Sequence, residues 1–192
     1  TLLTWDDEWL VYSDDGYFDA SRRGGELAAV ISGMKGFRID QAAVRNNRPD
    51  ILLEKIGISN TDLKLHFQAL YQRRLKKLGI REENLTDAFQ RAPVAKVEKL
   101  SKSGKYVDLQ FKVSDRRYSL SFYNIFVNDV PIYGATGKAI SGKIQTVNER
   151  IELTSGRNKI EVSTMNSAGL ESLRDGRVVT YTNDVQGDLY YL

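Results

Sequence analysis

The sequence predicts an α+β chain, with an N-terminal hairpin and short helices followed by an all-β sandwich. Three observations carry this expectation. Apolar residues recur every three or four positions between residues 60 and 78. From residue 107 onward they alternate with polar ones. Turn residues then punctuate the rest of the chain at about ten-residue spacing, as in sandwiches.

The elements follow in order. Trp9, Leu10, Val11 and Tyr12 read as a strand, Ser13, Asp14, Asp15 and Gly16 as a turn, and Tyr17 and Phe18 as the return strand. A lone hairpin is marginal in water. Trp5, Trp9, Val11, Tyr17 and Phe18 are therefore expected to dock, within the chain or on a neighbour. Gly24 and Gly25 precede a short helix expected over residues 26–31. Arg48, Pro49 and Asp50 open another: proline fits the first helical turn, an early aspartate faces the positive dipole end, and Gly57 supplies the stop. The clearest helix runs over 60–78, with Leu63, Phe67, Leu70, Tyr71, Leu75 and Leu78 as its stripe. Arg73, Arg74, Lys76 and Lys77 suit the negative end of its dipole, and Gly79 ends it.

Beyond Pro93 the period becomes two. Val107, Leu109, Phe111 and Val113 mark one strand, residues 119–127 a second, and 130–133 a third after the Asn128-Asp129 turn. Residues 150–153 and 159–165 are expected to form a hairpin across Ser155-Gly156, and 178–181 a further strand. Residues 99–105 read as an exposed loop. The division is thus 1–92 for the hairpin and helical region and 93–183 for a sandwich of about seven strands.

Composition narrows the function classes. The chain has 192 residues, 41% hydrophobic and 28% charged, and no run approaches the roughly 18 apolar residues of a membrane span. Without cysteine it has no thiol nucleophile, disulfide or thiolate metal site, and the compartment stays open. The acidic opening TLLTWDDEWL is unlike a signal peptide, and Thr1 without an initiator Met reads as an internal start. Residues 1–92 carry 14 Lys and Arg against 14 Asp and Glu, and the remainder 14 against 11, so nucleic acid is not the expected partner.

Catalytic patterns are sparse. The single histidine, His66, lies beside the helical stripe and reads as a surface or boundary residue. The acidic runs at 5–8 and 13–16 lack calcium-loop spacing, and Gly134-Ala135-Thr136-Gly137-Lys138 lacks the phosphate-loop spacing. No carboxylate pair stands out for glycosidase-type chemistry. No catalytic residue, metal ligand or cofactor is assigned. Arg116, Arg117, Tyr118, Phe122 and Tyr123 are read either as a ligand face or, on the simpler view, as strand core with arginines capping a loop. Trp5, Trp9, Tyr17, Phe18, Tyr118, Phe122, Tyr123 and Tyr133 make up the expected interaction surface.

The order of these motifs resembles the connecting region of bacterial multidomain proteins that carry a WD-repeat β-propeller followed by a caspase-like peptidase domain. The resemblance rests on four segments. Residues 7–12 with 15–21 look like the closing edge of a propeller, and Arg48-Pro49-Asp50-Ile51-Leu52 like the helix start of the linker. Residues 123–129 with 153–169 look like paired strands of an immunoglobulin-like module, and 187–192 like the lead into the peptidase fold, which sets 184–192 apart. It implies an immunoglobulin-like sandwich and a non-catalytic connector that positions or regulates a downstream peptidase domain, with neighbouring domains of the same polypeptide as partners. The family's catalytic segments have no counterpart here. The alternative is an extracytoplasmic sandwich that binds glycan or protein through exposed aromatics, for which Tyr118, Phe122, Tyr123, Tyr133 and Tyr181 are the candidates.

Overall fold

The computed structural model describes residues 1–182. The expected lead-in at 184–192 lies outside the described residues. The chain opens with an antiparallel sheet of β1 (Leu2–Trp5), β2 (Glu8–Tyr12) and β3 (Phe18–Ala20), in that order. The hairpin expected over 9–18 is present, and residues 2–5 add an edge strand to it. Leu10, Phe18 and Ile39 form its small core.

Residues 26–31 are not a helix. After a single 3-10 turn at Gly24–Glu26, β4 (Ala29–Ser32) pairs with β5 (Lys35–Arg38), with Val30 opposite Phe37. The β-branched Val30 and Ile31 favour the pleated backbone, and Gly33 supplies the positive φ of 62° in the turn. α1 (Ala43–Asn46), α2 (Pro49–Lys55) and α3 (Thr61–Leu78) follow. α2 starts on Pro49 as the sequence predicts. α3 is capped by the Asn60 side chain, which accepts from Leu63 N at 3.0 Å, and closes on Gly79 in the left-handed region.

The second half is built on two antiparallel sheets. One has the order β11 (Ile144–Glu152), β7 (Tyr106–Ser114), β6 (Val94–Ser103). The other has the order β10 (Lys138–Ala139), β8 (Leu120–Val127), β12 (Gly156–Asn166), β13 (Asp175–Tyr181), with β9 (Val130–Pro131) also on β8. Val107, Leu109, Phe111 and Val113 of β7 share one apolar cluster with Tyr123 and Ile125 of β8 and Ile160 and Val162 of β12. The arrangement is that of a β-sandwich.

Two expectations are corrected here. Residues 99–103 belong to β6, not to a loop: Lys99, Leu100, Ser101, Lys102 and Ser103 pair along β7, and the reversal is confined to residues 104–105. The segment 150–153 does not form a hairpin with 159–165. β11 pairs with β7, while β12 pairs with β8 and β13, so the chain changes sheets at residues 153–155.

Candidate interaction surface

β8 is buried on both sides, and this locates the joint between the two halves. Neighbouring strand residues face opposite ways. Tyr123 and Ile125 enter the sandwich core, while Phe122 turns outward into a second cluster with Met165 of β12 and Val44, Tyr71, Leu75 and Ile80 of the helical region. The long helix therefore packs on the outer face of the five-stranded sheet. Of its six-residue stripe only Tyr71 and Leu75 are buried, and Leu63 and Leu70 are 37% and 41% exposed. Arg74, half-buried where α3 meets α1, donates to the Ala43 and Asn47 carbonyls at 2.9 and 3.0 Å and to Asn47 Oδ1 at 2.8 Å. The Ala43 carbonyl thus gains a second donor beside the Asn47 amide, which reaches it at 3.1 Å, and the Asn47 carbonyl at the end of α1 gains one.

Polar pins add direction to the apolar contact. Gln41 Nε2 donates to the Glu171 carbonyl at 3.1 Å, and the Glu171 amide returns a bond of 2.9 Å to the Gln41 carbonyl. The Glu171 carboxylate accepts from Ser163 Oγ at 2.7 Å, and burial pushes its acid above the ordinary range. Asn166 is fully buried and saturated. Its Oδ1 accepts from the Ala168 and Leu170 amides, and its Nδ2 donates to Asp115 Oδ2 at 2.8 Å and the Arg91 carbonyl at 3.3 Å. One side chain thus joins β12, the turn after β7 and the segment leading into β6.

The Arg48-Pro49-Asp50 segment is a third fastening. Arg48 forms a two-pronged bond to Asp50 at 2.9 and 2.7 Å, and its guanidinium lies 4.0 Å from the centre of the Tyr71 ring. Burial opposes ionisation of Asp50, but the Arg48 bonds outweigh it and hold the carboxyl below its ordinary value. The Tyr71 hydroxyl donates to Glu82 at 3.0 Å; burial and that carboxylate push its own ionisation up to about 12. Proline thus places the aspartate two residues beyond the arginine that clamps it, and the clamp seats α3.

At the far edge of the sandwich, Glu149 of β11 receives the Tyr123 hydroxyl and Lys138 Nζ, the latter at 2.7 Å. Burial opposes ionisation there too, yet these donors hold Glu149 below its ordinary value. Burial and the Glu149 carboxylate raise both Tyr123 and Tyr133, the latter to about 12. The carboxylate is ionised and engaged, which suits a lock between sheets.

The predicted surface residues separate into three groups. Trp5 and Trp9 are exposed at 72% and 38%; Trp5 pairs with Glu8 and Trp9 with Thr4, which places them on opposite faces of the N-terminal sheet. Tyr17, Tyr118 and Tyr133 are half-buried. Phe18, Phe122 and Tyr123 are buried and are corrected from surface to core, since Phe18 fills the hairpin core and the other two serve the clusters on either side of β8. His66 is exposed on α3, with its ring 5.7 Å from that of Phe67. Among the described residues no group of three or more His, Asp or Glu could hold a metal ion, and no helix is long and apolar enough to cross a membrane. Gln41, Asn166 and Glu171 escaped the sequence reading because their partners are distant in the chain. Comparison of the chain with known families, curated proteins and solved structures finds no match.

Proposed function

We propose that this chain is a non-catalytic connector: an immunoglobulin-like module with a helical segment fastened to its outer sheet, holding neighbouring domains of one polypeptide at a set distance. The observation that carries the reading is the double burial of β8. Phe122 and Met165 lie under Tyr71 and Leu75, so the helical region and the sandwich share a packed joint instead of a free linker. A joint of this kind transmits position, because packed interiors resist deformation. The strand orders β11-β7-β6 and β10-β8-β12-β13 support the immunoglobulin-like assignment. β1 supports a role for the N-terminal end as a docking edge: it lies at the rim of its sheet with Leu2 and Trp5 exposed at 62% and 72%. The motif order supports a propeller before this segment and a caspase-like peptidase domain after it. The alternative ligand-binding sandwich has weaker support. Phe122 and Tyr123 are buried, Tyr118, Tyr133 and Tyr181 are half-buried, and no row of exposed rings lies on either sandwich sheet among the described residues.

The test uses the natural polypeptide. Deleting residues 93–182, or loosening the joint with Leu75→Asp, should change the activity or regulation of the downstream domain. Unaltered activity and regulation in both variants would overturn the proposal.

A further inference from the structure

A second feature of the joint is independent of the connector reading. The hairpin β4–β5, the segment before β6 and the turn after β7 enclose a cleft of about 380 Å³. Four cations line it: Lys35, Arg91, Arg116 and Arg117, all exposed. They come from three separate segments, so no local helix or loop preference gathers them; the tertiary fold does. Among the described residues, none of the four takes part in an ion pair. Arg91 donates to the Tyr118 hydroxyl at 3.2 Å, and Arg117 rests 5.9 Å from the Tyr118 ring centre, which fixes their direction without neutralising them.

The one carboxylate in the lining does not cancel this charge. Asp115 Oδ1 accepts from the Arg117 and Tyr118 amides at 2.7 Å each, and Oδ2 accepts from Asn166. It is turned into the turn it stabilises. The charge also continues onto the sheet. Val94 pairs with Ser114 at the rim of the cleft, and two residues along each strand Lys96 lies directly opposite Lys112. Like charges in that register are destabilising on their own, and neither lysine is ion-paired among the described residues. Across the whole chain the net charge is only +3, so a concentration of six cations here is local.

We infer that this cleft and the Lys96–Lys112 row bind an acidic peptide segment, whose carboxylates engage the arginines while an apolar residue rests on the cleft wall. Phe37 and Ala92 contribute apolar wall in the same cleft. A nucleic acid fits less well. The nearby rings are engaged, Phe37 against Phe89 at 6.4 Å and Tyr118 by its arginines, which leaves no free stacking platform among the lining residues.

The test is fluorescence anisotropy on the folded chain at low salt, with a short labelled glutamate-rich peptide holding one central leucine. The expected result is saturable binding that weakens at least about 10-fold in Arg116→Glu/Arg117→Glu, as loss of charge-assisted bonds requires. It should also weaken as salt shortens the Debye length from about 10 Å at 0.1 M to about 3 Å at 1 M. Lys76→Glu/Lys77→Glu on α3, outside the cleft, should leave affinity within about 2-fold. Lys35→Glu provides a second cleft variant on the opposite wall should the double variant fold poorly, and it should weaken binding likewise. Absence of binding, unchanged affinity in the cleft variants, or equal loss in the α3 variant would overturn the proposal. So would a single-stranded oligonucleotide that binds more tightly than the peptide at the same salt.

Discussion

The Tyr123 hydroxyl on β8 donates to the Glu149 carboxylate on β11, so a polar bond ties the two sheets together at one edge of an apolar core. Tyr123→Phe should therefore cost about 1.5–3 kcal/mol, the usual value of a hydrogen bond to a charged group. Urea unfolding measures it. Glu149 is held below its ordinary value of 4.5, so its contribution is present above that value and is lost as pH falls through the lower folded value. The stability gap between the natural chain and Glu149→Gln should accordingly narrow toward acid pH.

Glu171 predicts the opposite sign. Burial raises its folded value above the ordinary 4.5, so the folded state holds the proton more tightly. The stability this provides is complete below 4.5 and is lost as pH rises through the folded value. Glu171→Gln keeps an acceptor for Ser163 Oγ and removes the titration. Denaturation midpoints of that variant should lose this part of the pH slope, while those of the natural chain should keep it.

The Arg48–Asp50 clamp should be intolerant of half-removal. The Asp50 side chain is only 2% exposed, and Arg48 is 16% exposed. Asp50→Ala leaves the guanidinium unpaired in a partly closed site and should cost about 3 kcal/mol. Arg48→Lys should restore little, because an ammonium reproduces neither the two-pronged bond nor the stacking on Tyr71. Thermal unfolding of both variants checks this.

The joint itself predicts a proteolytic signature. Leu75→Asp places a charge in the cluster shared with Phe122 and Met165, and should release α3 while the sandwich remains folded. Trypsin should then cut among Arg73, Arg74, Lys76 and Lys77 much faster than in the natural chain, with β-sheet circular dichroism largely retained.

Legibility in the sequence followed the range of the interactions. α3 was readable because its cap, stripe and left-handed stop are all local. The stripe nevertheless overstated burial: only Tyr71 and Leu75 are buried, with Leu78 partly buried against the same cluster. β4 was misread because a short apolar run has no decisive period. β6 was read partly as a loop because its lysines are those of an edge strand exposed on one side. The pairing of β11 with β7 was missed because a Ser-Gly turn next to a strand looks like a hairpin whether or not the chain changes sheets there. Phe122 and Tyr123 looked like a surface pair, yet strand geometry sends them to opposite clusters. The pins at the joint were out of reach: Gln41 and Glu171 are 130 residues apart, and Asp115 and Asn166 are 51 apart.

The most direct test of the connector account is the distance between its two ends. The chain has no cysteine, so Asp7→Cys and Ser103→Cys, at exposed positions on the N-terminal sheet and the sandwich, can carry spin labels without background. Pulsed dipolar spectroscopy should give one narrow distance distribution that broadens when Leu75→Asp is added. A broad distribution in the otherwise natural chain, unaltered by Leu75→Asp, would contradict the account.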